Sequence, residues 1–142
     1  MIVIPSDVLA DMLDQARQDA PIEACGLLAG TNSTVRKSYR LTNVDRTPEH
    51  FSLDPREQFT AIKDARARGL EILALYHSHP ATPARMSAED LRLAFTPGIQ
   101  YVIVSLADPN RPVIKGFSVS DGQPVEGLYA AGGVGQGGMT LR

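Results

Sequence analysis

The segment "LEILALYHSH" at residues 70–79 constrains this chain more than any other. It is apolar almost throughout and is bounded by Gly69 before it and Pro80 after it. Its length suits a strand, and its near-continuous apolar character predicts burial on both faces. Such a strand needs a sheet with helices packed against it. The segment ends on two of the chain's 3 histidines, His77 and His79. Residues i and i+2 of a strand point to the same side. The two imidazoles are therefore expected to leave one face together, at the strand end.

The flanking sequence supplies the rest of such a sheet. "SDVLADMLDQARQDA" reads as a first helix. Ser6 is its expected N-cap, the buried stripe is Val8, Leu9, Met12, Leu13, Ala16 and Ala20, and Pro21 ends it. "IEACGLLAG" reads as a buried strand and "TVRKSYRL" as a second, with "AGTNS" as a hairpin turn between them. "DPREQFTAIKDARARG" carries full helix punctuation: Asp54 as N-cap, Pro55 at N1, Glu57 completing a capping box and Gly69 at the end. Phe59, Ile62 and the alanines are its expected buried face. A short helix capped by Ser87 follows the histidines. "IQYVIVSLA" and "VIKGFSVS" then form an expected antiparallel hairpin around "DPNRP". The expected fold class is α/β, more closely an α+β mixed sheet, with two long helices and one short one.

Composition excludes several functions. The chain has 142 residues, the size of one domain, and a formal net charge of −2. No basic excess is present to neutralise phosphates, so nucleic acid and anionic membranes are not expected partners. No apolar stretch reaches the ~20 residues of a membrane span. The N-terminus lacks the pattern of a signal peptide. A single cysteine, Cys25, cannot close an internal disulfide, which suits a reducing cytoplasm. The last residues, "AAGGVGQGGMTLR", read as a flexible Gly-rich tail from about residue 130, within an extension over 121–142. The main domain is expected over 1–120.

A His-x-His at a strand end has two readings: ordinary hydrogen bonding, or a pre-aligned pair of metal ligands. Asp90 follows His79 by eleven residues, in the first turn of the short helix. Folded back, it would complete two imidazoles and one carboxylate, an open catalytic set with a position left for water. Nitrogen and oxygen ligands suit iron or manganese as well as zinc. Ser87 and Asp90 also read as a capping box that needs no metal. Metal hydrolysis further requires a carboxylate off the metal to take a proton from water. Glu23 is the candidate, a lone charge within an apolar run. Its other reading is the exposed start of a strand.

These elements together resemble the JAMM (MPN-plus) metallopeptidases. They are Glu23, then His77-Ser78-His79-Pro80, then Ser87 and Asp90. "EACG" and "FSLDP" resemble the short prokaryotic branch. The resemblance spans Met1 to about Ser120. It implies a curled mixed sheet of the cytidine-deaminase-like type. It implies one zinc per chain held by His77, His79 and Asp90, with Glu23 as general base and then acid. It implies Ser87 as donor to the developing oxyanion. Asp90 is followed almost at once by the next strand, without room for the second insertion of relatives that cut ubiquitin chains. The implied substrate is a ubiquitin-like sulfur-carrier protein with a Gly-Gly end, from which cysteine or a short C-terminal extension is released. Cys25 is either a wall of the substrate channel or a plain core thiol. "GGMTLR" itself looks like such a cleavable end, besides its reading as a glycine-rich terminus. A non-catalytic MPN scaffold is the alternative function. A nucleobase deaminase would need His-x-Glu and Pro-Cys-x-x-Cys, and the chain has neither.

Overall fold

The computed structural model describes residues 2–94, 96, 98–127, 129–130 and 139–140. In chain order its elements are β1 (Ile2–Val3), α1 (Ser6–Asp19), β2 (Cys25–Thr31), β3 (Thr34–Leu41), α2 (Pro55–Ala67), β4 (Glu71–His79), α3 (Ala88–Leu93), β5 (Gln100–Ser105), β6 (Val113–Ser120), β7 (Gln123–Gly127), β8 (Tyr129–Ala130) and β9 (Met139–Thr140). All nine strands join one mixed sheet in the order β7-β6-β5-β4-β2-β3-β1-β8, with β9 on β6. The expected mixed α+β architecture is what the chain adopts, with two long helices and one short one. Three short strands, β1, β8 and β9, carry too few residues for any periodicity to announce them. β7 extends the sheet beyond residue 120. The Gly-rich stretch over 131–138 lies outside the described residues.

β4 is central, antiparallel to β2 and parallel to β5. A parallel pair needs a crossover, and residues 80–99 supply it. That crossover carries α3 over one face of the sheet. Alternate residues of β4 then meet different neighbours. Ala74 and Tyr76 pack with Leu9, Met12, Leu13 and Ala16 of α1. Leu75 points the other way and touches two smaller clusters, one under α2 and one under α3. β4 is covered on both faces, as its composition predicts.

The α1 face is closed by polar bonds as well. The Tyr76 hydroxyl donates to Gln15 Oε1 at 2.5 Å, and Gln15 Nε2 donates to the Cys25 carbonyl at 2.9 Å. Gly26 faces Tyr76 across the β2–β4 ladder. A Cβ there would lie 2.3 Å from the Tyr76 ring and from the Tyr39 carbonyl, so only glycine fits.

Several local expectations are corrected. Pro5, not Ser6, occupies the N-cap of α1, and no side chain caps that end. Asp54 caps α2 as expected, accepting from Arg56 N at 2.9 Å. Glu57 does not complete a capping box. Its carboxylate reaches across to Thr42, accepting from N at 2.7 Å and Oγ1 at 2.8 Å. Phe59 is not in the core; it is 68% exposed, because Ala61, Ala65 and Ile62 already fill the face turned to the sheet. Gly69 ends α2 with φ +73°, a left-handed conformation that favours glycine.

Candidate metal centre

The centre forms at the C-terminal end of β4, on the face shared by α2 and α3. His77 and His79 leave that face together, as strand geometry requires. The crossover returns α3 over them. Ser87 Oγ accepts from Asp90 N at 3.0 Å and Ser87 N donates to Asp90 Oδ2 at 2.9 Å, a complete capping box. The same turn delivers the Asp90 carboxylate to both imidazoles. The capping and ligand readings of Ser87 and Asp90 are thus compatible.

Three ligand atoms converge. His77 Nε2 and His79 Nε2 lie 3.1 Å apart. Asp90 Oδ1 is 3.2 Å from His77 Nε2, and Oδ2 is 3.1 Å from His79 Nε2. All three side chains are nearly inaccessible, at 3%, 6% and 7%. Three lone-pair donors this close repel one another unless a proton or a cation lies between them. A tetrahedral ion with bonds of about 2.0 Å spaces its ligand atoms about 3.3 Å apart, so the separations fit such an ion. His79 Nδ1 lies 2.9 Å from the Pro83 carbonyl, which accepts its proton and leaves Nε2 as the free donor atom. His77 is held differently. Its ring stacks on Phe51 with centroids 4.7 Å apart, and its buried Nδ1 has no partner among the described residues.

The titration of these groups reflects the crowding. Burial works to raise the Asp90 carboxyl, but hydrogen bonds from His77 and His79 outweigh it and hold it well below the carboxylate range. Burial lowers His77. Burial works to lower His79 too, but its bonds to Asp90 and Pro83 prevail and raise it.

Glu23 lies just ahead of β2 and is 3% exposed, so its reading as an exposed strand start is overturned. Its Oε1 is buried without a partner. Burial pushes the carboxyl up to about 8, with His79 pulling down and Asp90 pushing up. Its backbone is clamped on both sides. Ala24 N donates to Ser78 Oγ at 2.7 Å, and Glu23 N donates to the Thr47 carbonyl at 3.0 Å. The serine between the two histidines therefore points to the opposite face and pins the strand that carries Glu23.

Asn43 has a part that sequence reasoning missed. It is buried, and its Nδ2 donates to the carbonyls of Glu23 at 3.1 Å and His50 at 3.0 Å. Its Oδ1 accepts from Asp45 N at 3.0 Å and Ser52 N at 3.3 Å. One side chain thus folds the loop that brings Phe51 onto His77 and joins that loop to Glu23. An asparagine two residues before an aspartate is a turn signal, but its reach to Glu23 is not visible in the sequence. Cys25 is fully buried, with its thiol pushed up to about 12 by burial, and packs with Leu27, Leu41 and Ala61 under α2. It is a core thiol. A slot of about 30 Å³ adjoins His77 and Asp90, walled by Phe51, Leu75, Met86, Leu93 and Tyr101.

Comparison with known proteins places this geometry. A family model described as prokaryotic homologs of the JAB domain matches residues 5–117. A CysO-cysteine peptidase of Mycobacterium tuberculosis is 36% identical over 128 residues, 89% of this chain and 88% of that protein. A desampylase of Haloferax volcanii is 33% identical over 109 residues, 72% of this chain and 78% of that protein. A solution structure from Desulfitobacterium hafniense is 49% identical, with TM-score 0.84 and 92% of each chain covered. A JAB1/MPN domain protein of Archaeoglobus fulgidus shares the fold at 23% identity, with TM-score 0.60 and 92% and 96% of the two chains covered.

Proposed function

The chain belongs to the prokaryotic JAB-domain family, and from that premise we propose that it is a zinc-dependent hydrolase of peptide bonds that processes ubiquitin-like sulfur-carrier proteins. It cuts the amide bond after the carrier's Gly-Gly end and releases cysteine or a short C-terminal extension. The relatives named CysO-cysteine peptidase and desampylase support this substrate class. The observation that carries the reading is the convergence of His77, His79 and Asp90 within 3.1–3.2 Å, with an unpartnered carboxyl oxygen of Glu23 buried close by in the same fold. A non-catalytic scaffold has no use for a buried, unpartnered acid.

One ion per chain would be held by His77 Nε2, His79 Nε2 and Asp90. When bound, it supplies a Lewis acid that polarises the scissile carbonyl and brings the pKa of water to about 7. The protein does the rest. Glu23 takes a proton from the attacking water on its free Oε1 and passes it to the leaving amine. A carboxyl that burial has shifted towards neutrality suits both transfers. Ser87 Oγ accepts from Asp90 N and so keeps its own proton free, which it donates to the substrate carbonyl oxygen as charge develops there. Phe51 covers His77 and keeps water from that side of the ligand set.

The peptidase unit is residues 1–120, with 121–142 as an extension whose edge strand β7 lies beside β6. The cytoplasm is the compartment, since the lone cysteine forms no disulfide. Among the described residues no helix is long and apolar enough to cross a membrane. The first test is metal content by mass spectrometry on untagged, dialysed protein beside Asp90→Ala. Near-stoichiometric zinc in the wild type and little in the variant is the expected outcome. A wild type that stays metal-free after refolding with zinc would leave the family's scaffold role as the better reading.

A further inference from the structure

The sheet face that carries the metal centre continues past it onto β5 and β6. Residues paired across neighbouring strands share a face. The register sets His79 beside Ser105 and Ser105 beside Val113. Two residues back along β4, His77 lies beside Ile103 and Ile103 beside Lys115. Lys115 therefore rises from the same face as His77, two strands and about 10 Å away. The crossover runs over this part of the sheet and is stapled to it. Ser105 Oγ donates to the Thr82 carbonyl at 2.6 Å, and His79 Nδ1 lies 2.9 Å from the Pro83 carbonyl. Ala84 and Met86 are buried with Ile103 and Phe117, while Arg85 between them is exposed.

A cavity of about 330 Å³ opens between this crossover and the β5–β6 turn. Pro83 and Arg85 wall it on the crossover side, and Asp108, Arg111 and Lys115 on the other. Three cations thus face one acid, on a chain whose net charge is −2. Asp108 is engaged in the turn, where its Oδ1 accepts from Asn110 N at 3.1 Å. Lys115 lies 3.5 Å from Glu126. Arg85 and Arg111 enter no ion pair among the described residues. The cavity begins at Pro83, the residue that holds His79. Arg85 is two residues ahead of Ser87, a span of at most about 7 Å. Two recesses of different character therefore flank the metal centre. The slot beside His77 is mostly apolar, with walls such as Phe51, Leu75 and Tyr101, and the cavity behind His79 is cationic. Glu23 comes from the β2 side of β4, away from the cationic recess.

We propose that the cationic cavity binds the free α-carboxylate of the leaving group, with Arg85 as its partner and Arg111 and Lys115 reaching the acid end of longer extensions. This rests on the reading of the chain as a carrier-processing peptidase, and it narrows that reading. The two halves of such a substrate differ as the two recesses do: the Gly-Gly segment is uncharged, and a leaving amino acid ends in an anion. A guanidinium pairs with a carboxylate through two parallel hydrogen bonds, which fix orientation as well as adding affinity. The preferred substrate is then a carrier whose Gly-Gly is followed by one amino acid, or a few, with a free acid end. A carrier joined to a lysine side chain of another protein presents no carboxylate at that place.

The test uses three substrates built on the source organism's ubiquitin-fold carrier. One ends in Gly-Gly-Cys with a free acid, the second in the same cysteine as its carboxamide, and the third has its Gly-Gly joined to the ε-amine of N-acetyl-lysine amide. The readout is the ratio of kcat/KM for the acid to kcat/KM for the carboxamide. Zinc-loaded wild type should favour the acid by about tenfold or more, and should cut the lysine conjugate no better than the carboxamide. Arg85→Ala should bring the ratio to about one, Arg85→Glu should push it below one, and Arg85→Lys should restore part of it. A variant that merely disturbs the fold lowers all three rates and keeps the ratio, and a kept ratio overturns the proposal. A wild-type ratio near one overturns it as well, and so does a wild-type preference for the lysine conjugate. Zinc-loaded wild type that cuts none of the three would remove the proposed function itself, a pattern distinct from all of these.

Discussion

The two faces of the central sheet are built to different rules. On the α1 face, one continuous cluster runs from Ile2 to Ile114, and its buried polar groups are paired, as Tyr76 and Gln15 show, except Gln100 Oε1 at the start of β5, in register with Ala74. On the other face the apolar packing is split into two clusters, under α2 and under α3. The gap between them is where His77, His79 and Asp90 meet. Two of the buried polar atoms left without partners, Glu23 Oε1 and His77 Nδ1, belong to residues of this centre. An interior normally pairs its polar groups. The contrast teaches that one face is given over mainly to packing, while the other gathers the under-satisfied groups that the proposed mechanism uses.

Glu23→Gln gives the largest break between the faces. It should cut turnover by roughly 10²–10⁴-fold while leaving bound metal in place. It should also stabilise the metal-free protein. The unfolded chain releases this proton near the ordinary value of 4.5, while the folded chain keeps it until about 8. Stability contributed by the group therefore falls as pH rises from 4.5 to about 8 and then levels off. Gln has no such loss, so thermal melts in chelator should show the variant's advantage growing across that window. A variant that melts below wild type at pH 8, or that cleaves as fast, would break the assignment.

Met12→Ala is the mirror case. Met12 is fully buried under α1, and its truncation should cost about 2–5 kcal/mol in urea unfolding. The specific activity of the molecules that remain folded should not change. A drop in kcat larger than the loss of folded protein would mean that the two faces are coupled.

Ser87 sharpens the comparison because it caps α3 and, in the proposed mechanism, also donates to the substrate oxygen. Ser87→Ala should lose about 1 kcal/mol of cap energy and roughly 10²–10³-fold in rate. Ser87→Asp keeps a capping carboxylate and has no hydroxyl proton to donate. It should recover the stability and not the rate. Recovery of both would reduce Ser87 to a cap.

Much of this was legible without coordinates, and the reason is that the informative signals are local. Strand periodicity alone puts His77 and His79 on one side. The spacing from Ser87 to Asp90 is a capping box, and the structure contains it. β3 and β6 have the bounds that their alternation predicts. Local signals mislead where a residue's partner is remote in sequence. Glu57 fits a local cap, yet it binds Thr42, fifteen residues away. Phe59 fits a helical stripe, yet the sheet offers that stripe room only for alanines and Ile62.

By itself the sequence determined the element types, the central apolar strand and the residue kinds able to hold a metal. Each of those follows from neighbours within a few positions. Tertiary structure alone decided that Asp90 closes on both histidines, that Glu23 is buried rather than exposed, and that Asn43 ties the Phe51 loop to it. Those depend on the β2–β4 register and on the crossover that returns α3 over the sheet, and a single chain read in order carries no record of such distances.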